Sequence, residues 1–135
     1  MIVVDTSALL AIVLGEPEAD ACIGILEAEK EVLISAGTVA EALIVAARRN
    51  VADEIATLIE GLGFNVVPVT QISAHRIAQA YDQWGKGQHP AGLNFGDCFS
   101  YELAKEHSCP LLFVGNDFTK TDLTDLKVNL GNATR

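Results

Sequence analysis

The N-terminal stretch IVVDTSALLAIVL (residues 2–14) contains one complete strand-to-helix unit. Residues 2–4 are β-branched and predict a short buried strand. Asp5 ends this strand, and Thr6 and Ser7 supply hydroxyl groups of the kind that cap helices. The apolar remainder of the stretch then predicts a buried helix. A strand followed by a helix is the basic unit of an α/β protein.

The same alternation continues along the chain. Helical patterns are predicted at 17–30, 38–49, 51–62, 72–84 and 96–107. Further strands are predicted at 32–34, 64–69, 111–114 and 126–130, and the run at 111–114 is apolar enough to be a central strand buried on both faces. This order predicts a parallel sheet of about four or five strands flanked by helices, an α/β/α sandwich.

Length and composition favour one cytoplasmic domain spanning residues 1–135. The 18 acidic residues against 9 basic ones leave a net charge of −9, which argues against tight nonspecific binding to nucleic acid. The 3 cysteines lack a CxxC spacing, so neither a disulfide framework nor a zinc knuckle is predicted. No signal peptide and no apolar run of membrane-spanning length are recognisable.

Four acidic residues stand inside or beside apolar segments: Asp5, Glu41, Asp97 and Asp117. Burying an unpaired carboxylate costs several kcal/mol, so a fold that gathers four of them needs a counter-charge, and a divalent metal is the natural one. Ligands that are all oxygen favour Mg²⁺ or Mn²⁺ over zinc. The histidines are scattered and form no HExxH motif, so they predict no zinc site.

Each acid also has a structural interpretation. Asp5 is a candidate helix N-cap, Asp97 a partner of Asn94 in a capping box, and Asp117 part of a turn. Glu41 is the hardest to explain in this way, because its predicted helix, 38–49, is nearly apolar all round and is expected to be buried.

Such a cluster suits hydrolysis of a phosphodiester, in which metal activates a water and stabilises charge on the attacked phosphate. A carboxylate that does not bind the metal can orient or deprotonate that water. The Ser7 hydroxyl could hold a ligand or a phosphate oxygen, with helix capping by Thr6 or Ser7 as the alternative.

Three stretches carry a family resemblance: VDTSALLA (4–11), LNFGDCFSYELA (93–104) and LLFVGNDF (111–118), the last followed by Thr121 and Asp122. Together they closely resemble PIN-domain ribonucleases and, more narrowly, the VapC toxins of bacterial and archaeal toxin–antitoxin modules. The order of the four acids and the total length also agree, so the resemblance covers essentially the whole chain.

The resemblance implies a PIN-like fold, a homodimer and an endoribonuclease that uses Mg²⁺ or Mn²⁺. It assigns Asp5 and Asp97 as principal metal ligands, with Glu41 and Asp117 completing an acidic pocket and Asp122 as a weaker candidate. Substrate-contacting or supporting residues would be Thr6, Ser7, Asn94 and Asn116. Relatives often have another acid in place of Asn116, so the number of metals stays open.

The resemblance also implies an inhibitory partner, a VapB-like antitoxin whose Arg enters the acidic pocket. A guanidinium forks onto carboxylates well. The candidates for RNA contact are the few basic residues, each with a solvated surface charge as the alternative: Arg48, Arg49, Lys86, Lys105 and Lys120. The loop at 85–92 is a candidate for gating or reading substrate. Two other classes stay open: a catalytically silent PIN-like protein-binding module, and a phosphatase or receiver fold, which the absence of DxDxT disfavours.

Overall fold

A computed structural model of the chain describes residues 1–123. The strands are β1 (Ile2–Val4), β2 (Val32–Ser35), β3 (Asn65–Val67) and β4 (Leu111–Leu112). The helices are α1 (Thr6–Val13), α2 (Ala19–Ala28), α3 (Ala36–Arg48), α4 (Ala52–Gly61), α5 (Gln71–Trp84) and α6 (Phe95–His107). The strand predicted at 126–130 lies outside the described residues.

The sheet has the order β3-β2-β1-β4, and every neighbouring pair is parallel. The chain moves outward from β1 through β2 to β3 and then returns to the other side of β1 as β4. Where two neighbouring strands have connections that leave in opposite directions, a crevice opens at their carboxyl ends. The crevice here lies beyond Val4 and Leu112, and Asp5 borders it through a hydrogen bond from its N–H to the Leu112 carbonyl (3.0 Å).

Two hydrophobic cores cover the two faces of the sheet. Because side chains alternate along a strand, Ile2 and Val4 belong to the core shared with α1, α2, α3 and α4. Val3 points the other way, into a core shared with α5 and α6. This confirms the predicted parallel sheet with helices on both sides.

β3 and β4 are both shorter than predicted. β4 covers 111–112 of the predicted 111–114 and is buried on both faces as predicted, and among residues 1–123 its hydrogen-bonded neighbour is β1. Its predicted central position depends on the strand predicted at 126–130, which lies outside the described residues. β3 is shorter than the predicted 64–69 and carries an exposed Val66, as suits an edge strand that a proline at 68 closes.

The prediction that α3 is buried on all sides is wrong. Its buried residues are Thr38, Ala42 and Ala46, which recur every four residues and form one face. Leu43 and Ile44 are exposed, Ile44 to 57%. The helix therefore has two apolar surfaces: one packs on the sheet and the other faces outward.

The helix caps follow local sequence chemistry with one correction. α1 is capped by Asp5, whose side chain accepts a hydrogen bond from the Ser7 N–H, and not by Thr6 or Ser7. α6 begins after Asn94, as the predicted capping box requires. Within residues 1–123, no helix combines the length and the apolar character needed to cross a membrane.

Candidate active site

Four structural elements bring acidic residues to the crevice. Asp5 follows β1, Glu41 lies on the second turn of α3, and Asp97 lies on the first turn of α6. Asp117 lies on the turn after β4, which starts at Gly115 with a φ of 103°, a conformation that favours glycine. The predicted convergence of four acids therefore has a topological basis, since each element begins or ends at the carboxyl edge of the sheet.

Asp5 is the most enclosed of the four, with 4% of its surface exposed. One carboxylate oxygen, Oδ2, accepts hydrogen bonds from the Ser7 N–H (3.1 Å) and the Ser7 hydroxyl (2.8 Å). The other, Oδ1, accepts a bond of 2.5 Å from the Ser100 hydroxyl on α6. The Ser7 hydroxyl in turn accepts a hydrogen bond from the Val114 N–H (3.0 Å), which fixes Asp5 relative to the chain after β4.

Glu41 is positioned by a threonine on one side and a glycine on the other. The Thr6 hydroxyl donates to Glu41 Oε1 at 2.7 Å. Oε2 lies so close to the backbone of Gly96 that a Cβ atom there would stand 1.8 Å from it. Gly96 is therefore required because it has no side chain: a Cβ atom at this position would push the carboxylate of Glu41 aside.

Asp97 and Asn94 form the capping box predicted from the sequence. Asn94 Oδ1 accepts from the Asp97 N–H (2.8 Å), and Asp97 Oδ2 accepts from the Asn94 N–H (3.0 Å). One oxygen of the buried Asp97 carboxylate is thereby held at the start of α6. The structural and the functional interpretations of Asp97 are compatible, since a capping carboxylate can also face a site.

The four acids are close enough to perturb one another electrostatically. Burial is the largest cause of the raised pKa of Asp5, and the charge of Asp117 adds to it against the hydrogen bonds from Ser100 and Ser7. Burial and the charges of Asp5 and Asp117 also raise the pKa of Glu41. Burial, together with the charges of the other three acids, raises the pKa of Asp97 to about 7.

Among residues 1–123, no Lys or Arg side chain forms an ion pair with these four acids. The ion pairs found among residues 1–123 involve Glu29, Glu102, Glu106 and Asp122, and not the four acids. In the same part of the chain, no three Asp, Glu, His or Cys side chains are gathered closely enough to form a ready-made metal site. Oxygen donors of this kind fit Mg²⁺ or Mn²⁺, because Mg²⁺ usually keeps several waters and takes only one or two carboxylates.

Two hydroxyl residues support the site without having been predicted. Ser100 donates to Asp5, and Thr38 on α3 lies 3.4 Å from Ser100, hydroxyl to hydroxyl. Ser100 follows Asp97 by three residues on α6, so both side chains lie on one face of the helix. That spacing could have identified Ser100 from the sequence. The contact between Ser100 and Asp5 could not, because it spans 95 residues and depends on the fold.

The remaining predicted residues have varied surroundings. Thr6 and Ser7 bind Glu41 and Asp5, while Asn116 is exposed on the turn that carries Asp117. Both carboxylate oxygens of Asp122 accept hydrogen bonds from α6, one from Tyr101 and the other from Lys105. The other basic candidates, Arg48, Arg49, Lys86 and Lys120, are exposed.

Comparison with known proteins agrees with this fold. Residues 2–123 match the family described as PIN domain. The chain therefore belongs to the PIN-domain family.

Similar proteins show which group of the PIN-domain family the chain belongs to. The chain is 41% identical over 124 residues to VapC ribonuclease Mb0640 of Mycobacterium bovis, covering 90% of this chain and 95% of that one. Its fold is similar to that of the Mycobacterium tuberculosis toxin VapC20, described as cleaving the sarcin–ricin loop, with a TM-score of 0.73, 17% identity, and 93% and 98% coverage. It is also similar to VapBC2 of Rickettsia felis bound to a promoter DNA fragment, with a TM-score of 0.65, 12% identity, and 93% and 96% coverage. The chain is thus placed among the VapC proteins.

Gly96→Ala tests whether the position of Glu41 matters independently of its charge. The new Cβ displaces the flexible end of Glu41, so the fold should tolerate the change while hydrolytic activity falls by about 100-fold, the usual effect of a misplacement of about 1 Å. Gly24→Ala is the matched control, because nothing lies within 4 Å of its Cβ position. Equal activity of both variants, measured beside their melting temperatures, would contradict this role of Gly96.

Asp97→Asn tests the electrostatic strain through pH. In metal-free protein the folded pKa of Asp97, about 7, lies above its usual value of 3.8, so the unfolded chain ionises first as pH rises. Wild type therefore loses stability between about pH 4 and 7, whereas the Asn variant lacks this loss. The difference in melting temperature, Asn variant minus wild type in EDTA, should grow across that window and then level off. A difference that stays constant from pH 4 to 8 would count against the raised pKa.

Proposed function

We propose that this protein is the toxin of a toxin–antitoxin pair, an endoribonuclease that hydrolyses phosphodiester bonds in RNA at the four-acid site with the aid of Mg²⁺ or Mn²⁺. The observation that carries the proposal is the set of mutually repelling carboxylates at the carboxyl edge of the sheet, with no Lys or Arg ion pair to any of them among residues 1–123. Relatives named ribonucleases support it. The alternative of a silent binding module is not favoured, because all four acids are present.

The ligand assignment follows from burial and hydrogen bonding. Asp5 and Asp97 are the principal ligands, since both are buried and each has an oxygen fixed by neighbouring groups. A bound divalent ion would lower the pKa of a water and stabilise charge on the attacked phosphate. Glu41 and Asp117 complete the pocket, where a carboxylate that does not bind the ion holds the attacking water or accepts its proton.

A partner that inhibits such a site must supply positive charge and hydrogen-bond donors to the same carboxylates. A VapB-like antitoxin would insert an Arg, whose planar guanidinium binds carboxylates through two parallel hydrogen bonds and competes with metal. The fold similarity to VapBC2 of Rickettsia felis supports a partner of this class. The net charge of −9 favours association with a cationic segment, and a cellular RNA substrate places the protein in the cytoplasm.

An apolar surface beside the site supports a homodimer. A groove of about 440 Å³ runs along α5 and the start of α6, and Tyr81 and Phe95 line it. A second cavity of about 270 Å³ shares Phe95 and extends to Ile44 and Glu41 on α3. In a protein with a net charge of −9, a second copy is best accepted where charge is sparse, and such a face can pair with itself about a two-fold axis.

Cleavage of bacterial total RNA with added Mg²⁺ or Mn²⁺ tests the activity. Wild type should cleave, and EDTA should abolish cleavage until metal is restored. Asp5→Asn and Asp97→Asn should each lower the rate by at least about 100-fold, because each removes a charged ligand from the buried site. Asp20→Asn, an exposed residue of α2, is the matched control and should keep full activity. Undiminished cleavage by both site variants would refute the proposal.

Phe95→Gln tests the dimer. Phe95 is 69% exposed and central to the apolar surface, so its loss should weaken self-association by about 2 kcal/mol or more, as for the aromatic anchor of an interface. Ile72→Gln is the control, since Ile72 is 67% exposed but does not line the groove. Light scattering over a dilution series measures both; a monomeric wild type, or equal effects of the two variants, would exclude this face as the dimer interface.

A further inference from the structure

Asp122 occupies a hydrogen-bonded position that neither the fold nor the four-acid site explains. Its Oδ1 accepts a hydrogen bond of 2.5 Å from the Tyr101 hydroxyl, and its Oδ2 accepts one of 3.1 Å from Lys105 Nζ. Tyr101 and Lys105 are one turn apart on α6, so a single face of that helix holds both oxygens. Asp122 is thus tied to α6 by both of its carboxylate oxygens.

The hydrogen bond from Tyr101 to Asp122 has a fixed direction. Trp84 Nε1 donates to the Tyr101 oxygen at 2.9 Å, and an indole N–H can only donate. The single proton of the phenol is therefore free for Asp122, which as a carboxylate only accepts. Tyr101 is buried, so water does not easily compete with Asp122 for the hydroxyl proton. The chain Trp84–Tyr101–Asp122 thus links the end of α5 to the segment after β4.

That segment also carries Asp117. Its apolar attachment is Phe118, fully buried with its ring centroid 5.0 Å from that of Phe113. The Thr121 hydroxyl, beside Asp122, donates to the Phe118 carbonyl at 2.7 Å. Asp122 supplies the polar attachment at the far end, while Asp117 itself is exposed. Phe118 and Asp122, together with the hydrogen bond from the Val114 N–H to Ser7, therefore fix the turn that carries Asp117.

α6 carries the opposing acid. Asp97 precedes Tyr101 by four residues, or one turn of the helix. A bond from Tyr101 to Asp122 consequently fixes the Asp117 turn against the same helix that presents Asp97. The charge of Asp117 contributes, after burial, to the raised pKa of Asp97, in keeping with the position of the turn beside the start of α6.

We propose that Asp122 is a positioning residue which, through Tyr101 and Lys105, holds the turn at 115–123 so that Asp117 reaches the space shared with Asp97. This inference rests on the proposed function, since it concerns the same site. It assigns to Asp122 a role in site geometry instead of the metal ligation that the family resemblance suggested.

A double-mutant cycle on Mn²⁺ affinity tests the proposal without RNA. Free Mn²⁺ is counted by electron paramagnetic resonance during titration of folded wild type, Asp122→Asn, Asp117→Asn and the double variant. Asp122→Asn should weaken affinity by about tenfold, in the range for residues that orient ligands. In the Asp117→Asn background it should have no further effect, because Asp122 acts through Asp117.

Tyr101→Phe keeps the test decisive if Asp122→Asn folds poorly, because it removes only the hydroxyl and should reproduce the loss of affinity. Thr57→Val, which removes a hydroxyl from an exposed residue of α4, is the control and should bind Mn²⁺ like wild type. A role limited to stability would lower the melting temperature of Tyr101→Phe and leave the Mn²⁺ affinity of the folded protein unchanged, which would overturn the proposal.

A further loss in the double variant beyond Asp117→Asn alone would also overturn it, since Asp122 would then be an independent ligand. Cleavage of RNA by wild type is measured separately. A wild type that binds Mn²⁺ but cleaves no RNA would refute the proposed function, while the cycle would still decide the role of Asp122.

Discussion

The site depends on one buried carboxylate, that of Asp5, which links three separate parts of the fold. Asp5 caps α1, accepts the Ser100 hydroxyl from α6, and is tied through Ser7 to the backbone at Val114. These contacts unite β1, α6 and the chain after β4 at the crevice. Each hydrogen bond stabilises the ionised form, yet burial dominates and raises the pKa of Asp5. The fold thus holds this carboxyl group in place with no Lys or Arg ion pair to it among residues 1–123, and the proposed divalent ion or antitoxin guanidinium would supply the missing counter-charge.

Much of this could be predicted because local chemistry and function agree. The alternation of strands and helices follows from periodicity, and the capping box of Asn94 and Asp97 follows from residue type and spacing alone. The carboxyl ends of parallel strands share one edge, so Asp5 and the turn with Asp117 could be placed near each other before any coordinates. Glu41 needed more, because its position on α3 says nothing about which neighbour its carboxylate meets.

The reasoning that singled out Glu41 was partly wrong. Its apolar neighbours suggested a helix buried all round, whereas Leu43 and Ile44 face outward and the helix buries a single face. An apolar pattern in a sequence indicates that a surface avoids water. It does not indicate whether the group that covers this surface belongs to the same chain. Contacts such as Ser100 with Asp5 bridge distant segments, so no local pattern encodes them.

The absence of a side chain at Gly96 has a consequence for how mutation could separate the structure of this protein from its chemistry. The three nearest atoms that a Cβ there would meet all belong to the carboxylate group of Glu41, the flexible end of that side chain. A single codon change from glycine to alanine would therefore displace one acid and spare the fold. The product would be a folded chain that keeps its outer surfaces and lacks an ordered set of acids.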